Sequence, residues 1–92
     1  MYKIKIEYHR KFVKEFQKIP VEIQEKATLL EDIFRHDPFD QELKTKKLQG
    51  KLQSFYSFRI TREYRIIFEF IEKEKVVFLA VKHRKDIYKN LN

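Results

Sequence analysis

Two arginines on neighbouring predicted strands could bind an anion together. Arg59 and Arg65 interrupt the segments at about 54–61 and 64–71, in which aromatic and aliphatic residues alternate with polar ones. If both apolar sets point into the core, the two arginines share the opposite face, and the register consistent with that pattern sets them directly across from each other. Like charges in that position are destabilising. A phosphate between the two guanidinium groups would relieve the repulsion, so the pattern predicts a phosphate clamp.

A structural explanation of the same pair stays open at this point. Glu63 or Glu69 could neutralise the arginines as surface ion pairs, because both carboxylates are close in sequence. Glu69 is expected on the same face as Arg65, since side chains two or four residues apart along a strand share a face. The arginine pair then needs no ligand.

A second group of polar residues ends the chain: Lys82, His83, Arg84, Lys85 and, after one helical turn, Tyr88. Histidine can exchange a proton near neutral pH, and tyrosine can donate a proton or stack on a base. A single histidine at a strand end, or a tyrosine in a terminal helix, more often has a structural role. Their clustering beside the arginine-bearing strands supports a functional role, and both roles stay open at this point.

The elements that would position these residues follow from the spacing of apolar side chains. Alternation predicts a first strand at 2–8, and helical spacing predicts a short helix at about 9–18. Pro20 suits the first turn of a second helix that runs to about Arg35. Its expected buried face comprises Ile23, Ala27, Leu30 and Phe34, widened by Leu29 and Ile33.

The remaining chain predicts a sheet for this helical hairpin to cover. After a connector rich in lysine come three strands at about 54–61, 64–71 and 76–83, and then a helix at 84–91. The order β-α-α-β-β-β-α predicts a two-layer α+β fold, with the hairpin packed on one face of a mainly antiparallel, four-stranded sheet. Residues 1–92 are expected to form a single domain.

Charge is distributed unevenly along the chain. Residues 1–43 hold 8 Lys/Arg against 9 Asp/Glu, whereas residues 44–92 hold 13 against 5, which leaves a total charge of +7. A basic half of a small domain indicates a polyanionic partner, such as nucleic acid. The cations expected to hold a phosphate backbone are Lys44, Lys46, Lys47, Lys51, Lys82 and Lys85.

Composition argues against several other kinds of site. The chain has no cysteine and one glycine, which excludes disulfides, thiolate metal sites and a glycine-rich phosphate loop. His9, His36 and His83 are far apart in sequence, so no metal or other cofactor is expected, and His9 and His36 are expected to face solvent. No apolar run of about 18 residues occurs, and the chain is expected in the cytoplasm, away from membranes.

Four segments together resemble the RelE/ParE toxin superfamily: Lys47–Gly50, Tyr56–Thr61, Tyr64–Phe68 and Val81–Tyr88. The resemblance covers essentially the whole chain and extends to the predicted β-α-α-β-β-β order. Its most specific parts are the Tyr-Arg pair near the start of the third strand and the His-Arg-x-x-Ile-Tyr ending.

This resemblance implies the toxin of a type II toxin–antitoxin system. RelE-like members are metal-independent endoribonucleases that cleave messenger RNA, usually in the ribosomal A site. A cognate antitoxin neutralises them, and operator DNA is bound only through the toxin–antitoxin complex. Arg65 matches the family's phosphate-binding arginine and Arg84 a second one, whereas Arg59 and His83 are similar to the YoeB branch. On this basis the three arginines would stabilise charge, and His83 and Tyr88 would exchange protons.

The chain also departs from the family pattern. Tyr56 and Phe58 stand where RelE carries two strand lysines, and Lys46 stands where YoeB carries a catalytic glutamate. The general base is therefore not assigned by the resemblance. Two alternatives stay open: a ParE-like inhibitor of DNA gyrase without nuclease activity, and a nucleic-acid-binding module without enzymatic activity.

Overall fold

The computed structural model describes residues 3–50 and 54–86. It confirms the predicted order and the α+β class, and the sheet has five strands rather than four. The added strand is a two-residue segment inside the lysine-rich connector, which has no apolar alternation to mark it. The elements are β1 (Lys5–Tyr8), α1 (Arg10–Phe16), α2 (Val21–His36), a 3-10 turn (Gln41–Leu43), β2 (Lys46–Lys47), β3 (Phe55–Arg59), β4 (Tyr64–Glu72) and β5 (Lys75–His83).

The strands are arranged in the order β1-β5-β4-β3-β2. β1 is parallel to β5, and every other neighbouring pair is antiparallel. Phe58 pairs with Ile66 and Arg59 with Arg65, which confirms the register predicted from the alternation. The last helix is described only for residues 84–86, and its predicted remainder to residue 91 lies outside the described residues.

A bulge in β5 changes which side chains share a face. Ile67 pairs with Ala80, whereas the next residue of β4, Phe68, pairs with Phe78, so Leu79 is the extra residue. Phe78 and Val81 therefore both point to the core, although they are three residues apart. One residue further on, Lys82 pairs with Arg65 on the opposite face.

The covered face of the sheet, against which α1 and α2 pack, is an aromatic core. Phe34 of α2 is completely buried, and its ring centroid lies 5.1 Å from Phe58, 4.9 Å from Phe68 and 5.2 Å from Phe78. Burial of such rings is the main source of stability in a small domain. The expected inner face of α2 is confirmed except for Leu29, which is 69% exposed because it lies beside that face rather than on it.

The open face, on the other side of the sheet, carries a smaller apolar cluster. Leu48, Ile67 and Ala80 are buried there, with Phe55 and Leu79 packed against them. The Leu48 backbone N–H donates to the Phe55 carbonyl at 2.9 Å, so the connector continues along β3 beyond β2. This cluster leaves the end of the open face nearest Arg59 to polar side chains. In the described part of the chain, no helix is long and apolar enough to span a membrane.

Candidate phosphate-binding and catalytic site

Three cations lie side by side at one end of the open face. Arg59 of β3 pairs with Arg65 of β4, and Arg65 pairs in turn with Lys82 of β5. Side chains paired in this way have Cβ atoms about 4.5–5.5 Å apart. We call these three residues the cation row. Their separation suits the oxygen atoms of one phosphate group, or of two consecutive ones.

Arg59 is held in a way that leaves part of its guanidinium group unsatisfied. Its side chain is half-buried, and within residues 3–50 and 54–86 its buried Nε–H has no hydrogen-bond partner. Neither Glu63 nor Glu69 therefore satisfies this donor. A buried donor without an acceptor costs about 1–3 kcal/mol, which an incoming anion would recover.

Lys82 is paired with a carboxylate from α1. Its Nζ lies 2.8 Å from Oε2 of Glu15, and the other carboxylate oxygen accepts the Val81 backbone N–H at 3.0 Å. This N–H is available because β1 pairs with β5 only as far as Phe78, and α1 packs against β5. Glu15 thus satisfies the free edge of β5 and balances the charge of Lys82.

Sequence reasoning did not find Glu15, which is 67 residues from its partner Lys82. A weak signal was available, because Glu15 is the one acidic residue within the basic stretch 9–18. Lys82 is the member of the cation row that already has a carboxylate partner, and its direct part in RNA binding stays a prediction.

His83 lies at the same end of the sheet as the cation row but on the other side. It pairs with Tyr64, whose ring packs against the covered face, and the two ring centroids are 5.4 Å apart. Its Nδ1 accepts the Lys85 backbone N–H at 3.2 Å, while Nε2 lies 3.7 Å from Oε2 of Glu63. The structure therefore separates His83 from the arginine pair by the thickness of the sheet, because the bulge at Leu79 shifts the alternation of β5.

The turn between β3 and β4 borders this end of the sheet. Thr61 Oγ1 accepts the backbone N–H groups of Glu63 at 3.2 Å and Tyr64 at 3.3 Å, which fixes the turn. The backbone N–H of Arg84 donates to the Glu63 carbonyl at 2.6 Å, so Arg84 begins directly beside it. Both Arg84 and Arg62 are exposed. Arg62 was not among the residues predicted from the sequence to bind RNA, although it lies between the two paired arginines in the chain.

The predicted backbone-binding lysines are distributed over both sides of the connector. Lys46 pairs with Ser57, so it lies on the open face beside the cation row, whereas Lys47 pairs with Tyr56 of the covered face. Lys44 ends the 3-10 turn in a left-handed conformation, with φ of 50°. Lys44, Lys46, Lys47 and Lys85 are exposed. Lys51 and Tyr88 lie outside the described residues.

Two pKa shifts occur away from the cation row. Burial, together with the hydrogen bond to Glu31 at 2.8 Å, raises the pKa of the Tyr8 phenol to about 12. Tyr8 therefore stays protonated and acts as a hydrogen-bond donor in a group that also includes Arg35. The hydrogen bond and charge of Glu7 raise the pKa of Lys75 at the far end of the sheet.

The histidines are arranged as local caps rather than as a cluster. His9 accepts the Lys11 backbone N–H at 3.0 Å and caps α1, and the Nδ1 of His36 lies 2.9 Å from the Asp32 carbonyl oxygen. Both side chains are exposed, which confirms the expectation for them. Among the described residues, no group of three or more histidines and carboxylates is arranged to hold a metal ion.

Comparison with known proteins assigns the chain to a family. Residues 5–85 match the model of the YoeB-like toxins of bacterial type II toxin–antitoxin systems. The chain belongs to this toxin family. The matched range contains the whole cation row together with Glu15, His83 and Arg84. A comparison with curated protein sequences returned no match.

Solved toxin structures share the fold. A YoeB/ParE toxin from Agrobacterium tumefaciens is 19% identical, with a TM-score of 0.74 over 87% of this chain and 98% of that one. The toxin–antitoxin complex RelB-RelE from Methanococcus jannaschii contains a chain that is 25% identical, with a TM-score of 0.74 over 94% of this chain and 99% of that one. YafQ from E. coli is 15% identical, with a TM-score of 0.74 over 92% and 98%. At these identities the likeness concerns the fold, and the chemistry has to be argued from this toxin's own residues.

Proposed function

We propose that this toxin is a metal-independent endoribonuclease that cleaves messenger RNA, with the transcript held in the ribosomal A site. The observation that carries the proposal is the cation row on the open face of a YoeB-like toxin fold, in which a buried Arg59 donor has no partner among the described residues. Two arginines directly across from each other repel, and a phosphate bound beside them relieves that repulsion.

Arg59 and Arg65 have the role of stabilising the transition state. When the 2′-oxygen of a ribose attacks the adjacent phosphorus, negative charge accumulates on the non-bridging oxygens. Fixed guanidinium groups aimed at those oxygens lower the barrier without having to reorganise. Arg84 extends the clamp from the end of β5, since its backbone is tied to Glu63 beside the β3–β4 turn.

Proton transfer completes the reaction. The 2′-hydroxyl loses a proton as the bond from its oxygen to phosphorus forms, and the 5′-oxygen gains a proton as its bond to phosphorus breaks. In our proposal the family resemblance assigns these two transfers to His83 and Tyr88, one as acid and the other as base. His83 acts from the end of the sheet, because its ring lies on the other face from the arginine pair.

The partners follow from the family and from the charge. The solved relative from Methanococcus jannaschii is an antitoxin–toxin complex, and we propose that a cognate antitoxin neutralises this chain in the same manner. Operator DNA is then bound only through that complex. Lys44, Lys46, Lys47, Lys51, Lys82 and Lys85 hold the RNA backbone without reading its sequence.

Primer extension on a reporter transcript, with and without translating ribosomes, tests the proposal. The wild-type protein is expected to produce discrete cuts on translating ribosomes. Arg65→Ala should lower the cleavage rate by about 10²–10³-fold, since it removes one stabilising donor from the transition state. The matched control is Lys73→Ala, which removes an exposed cation at the far end of the sheet and should cleave like the wild type.

Other outcomes have defined meanings. An Arg65→Ala protein that folds and cleaves at the wild-type rate would refute the role of the cation row. Cuts on naked RNA would keep the nuclease and remove the ribosome from the proposal. Growth arrest with DNA damage and intact transcripts would instead establish the ParE-like alternative, in which the toxin acts on DNA gyrase.

A further inference from the structure

A second basic surface lies on α1, outside the cation row. Arg10, Lys11 and Lys14 of α1 are exposed, as is Lys18, two residues beyond the end of the helix. Together with His9 and Glu15 they line a surface depression of about 380 Å³. We call these four cations the α1 strip. Counting charge over residues 1–43 conceals it, because the acidic residues of α2 and the following turn cancel its charge.

Two of these cations, Arg10 and Lys11, are placed unfavourably for the helix, whereas Lys14 lies in its last turn, where a cation is favourable. The N-terminal end of a helix favours acidic residues, yet the first turn of α1 has none and begins with Arg10 and Lys11. α2 follows the usual rule, with Glu22 in its first turn and basic residues in its last. The basic start of α1 is therefore better explained by a ligand than by helix stability.

The carboxylate that lies among these cations, that of Glu15, already has partners on β5. Glu15 bonds Lys82 and the Val81 backbone N–H, so its charge is balanced by β5. In residues 3–50 and 54–86, no ion pair joins any of the four cations to a carboxylate within 4.0 Å. The strip thus presents a concentrated positive charge to solvent.

The strip is continuous with the open face. His9 and Lys11 also line a cavity of about 200 Å³ whose other walls are the open-face residues Phe55, Ile67, Leu79 and Ala80. Ala80 lies in the row next to Lys82, across the same strands. A chain bound at the cation row can therefore follow the open face past Ala80 to the start of α1.

We propose that the α1 strip binds the sugar–phosphate backbone of the RNA that flanks the cleaved position. This inference rests on the proposed RNA-cleaving function and extends its substrate surface. The side chains that line the depression include no apolar residue that would anchor a protein partner, whereas phosphates require only cations. The exposed apolar residue of α1, Val13, lines a different cavity between the two helices, with Tyr8 and Phe12.

Binding to 2′-O-methyl RNA tests the proposal separately from catalysis. This RNA lacks the free 2′-hydroxyl that cleavage requires, so the full-length wild-type protein binds it without cutting it. The dissociation constant is measured over a range of salt concentrations for the wild type and for the triple variant Arg10→Gln, Lys14→Gln, Lys18→Gln. Each lost phosphate contact lowers the slope of log affinity against log salt by about 0.7, so the expected loss of slope is roughly 2.

The matched control is Lys3→Gln, Lys5→Gln, Lys73→Gln, which removes the same charge from exposed positions at the far end of the sheet. Its slope should stay within about 0.7 of the wild-type value. Equal losses of slope in both triple variants would overturn the proposal, because they would reflect net charge alone. An unchanged slope in the α1 variant, with weakened binding of polyglutamate, would also overturn it and would make the strip a surface for an acidic protein. A protein that failed to cleave any RNA would refute the proposed function while leaving the slope comparison valid.

Discussion

The two faces of this sheet are built from side chains with opposite properties. On the covered face Phe34, Phe58, Phe68 and Phe78 are all 0% exposed and pack ring against ring. At one end of the open face, three cations lie on the same three strands that carry Phe58, Phe68 and Phe78. We expect the covered face to account for most of the stability, because buried rings dominate it, and the open face to account for anion binding, because it holds like charges close together.

Phe34→Ala is expected to have the largest effect on stability. The side chain contacts three other fully buried phenylalanines, so its removal leaves a cavity that the rigid sheet cannot fill. The free energy of unfolding should fall by about 3–5 kcal/mol, measured by urea denaturation. Leu29→Ala, at an α2 position that is 69% exposed, is the control and should change it by less than about 0.5 kcal/mol. Equal losses in the two variants would show that the aromatic core does not dominate stability.

The arginine pair was predictable from the sequence because strand alternation has a period of two. Once the aromatic residues of β3 and β4 are assigned to one face, the faces and register of Arg59 and Arg65 follow, and the structure has both. The position of His83 did not follow, because the bulge at Leu79 inverts the alternation of β5 and no local pattern marks it. Lys82 occupies the place beside Arg65 instead.

The charge count over residues 1–43 conceals the α1 strip for a related reason. Neighbours in sequence were added together, although α1 and α2 place their charges on different surfaces. The contact between Glu15 and Lys82 joins residues 67 positions apart, which no spacing rule can anticipate. The two-residue strand β2 was also missed, since it is defined by its backbone pairing with β3 and not by its side chains.

Glu15→Ala probes the link between the helix layer and the cation row. The change removes the acceptor of the Val81 N–H and leaves Lys82, whose side chain is 14% exposed, without its partner. We expect the free energy of unfolding to fall by about 2 kcal/mol, in the range for hydrogen bonds to charged groups. Urea denaturation measures the loss.

Two further variants separate charge from hydrogen bonding at this position. Glu15→Gln keeps an oxygen for the Val81 N–H but loses the charge opposite Lys82, so it should lose about half as much stability as Glu15→Ala. Glu25→Gln, at an exposed position on α2, should change stability by less than about 0.5 kcal/mol. If Glu15→Ala were as stable as the wild type, the contacts that Glu15 makes with Val81 and Lys82 would not stabilise the edge of β5 in solution.

Arg59→Met is expected to have the smallest effect and the opposite sign. It removes a cation directly across from Arg65 and a buried Nε–H that has no partner among the described residues, while the apolar stem is kept. The free energy of unfolding should rise by about 1 kcal/mol, whereas RNA cleavage should weaken. The part of this gain that comes from relief of the repulsion between Arg59 and Arg65 should shrink in 1 M salt, where the Debye length is about 3 Å.

Arg62→Met, in the exposed turn, is the control. Within the described residues no cation is paired across from Arg62, so the change should leave the free energy of unfolding within about 0.5 kcal/mol of the wild-type value. A less stable Arg59→Met protein would mean that Arg59 stabilises the sheet, and the contrast between the two faces would then not extend to the cation row.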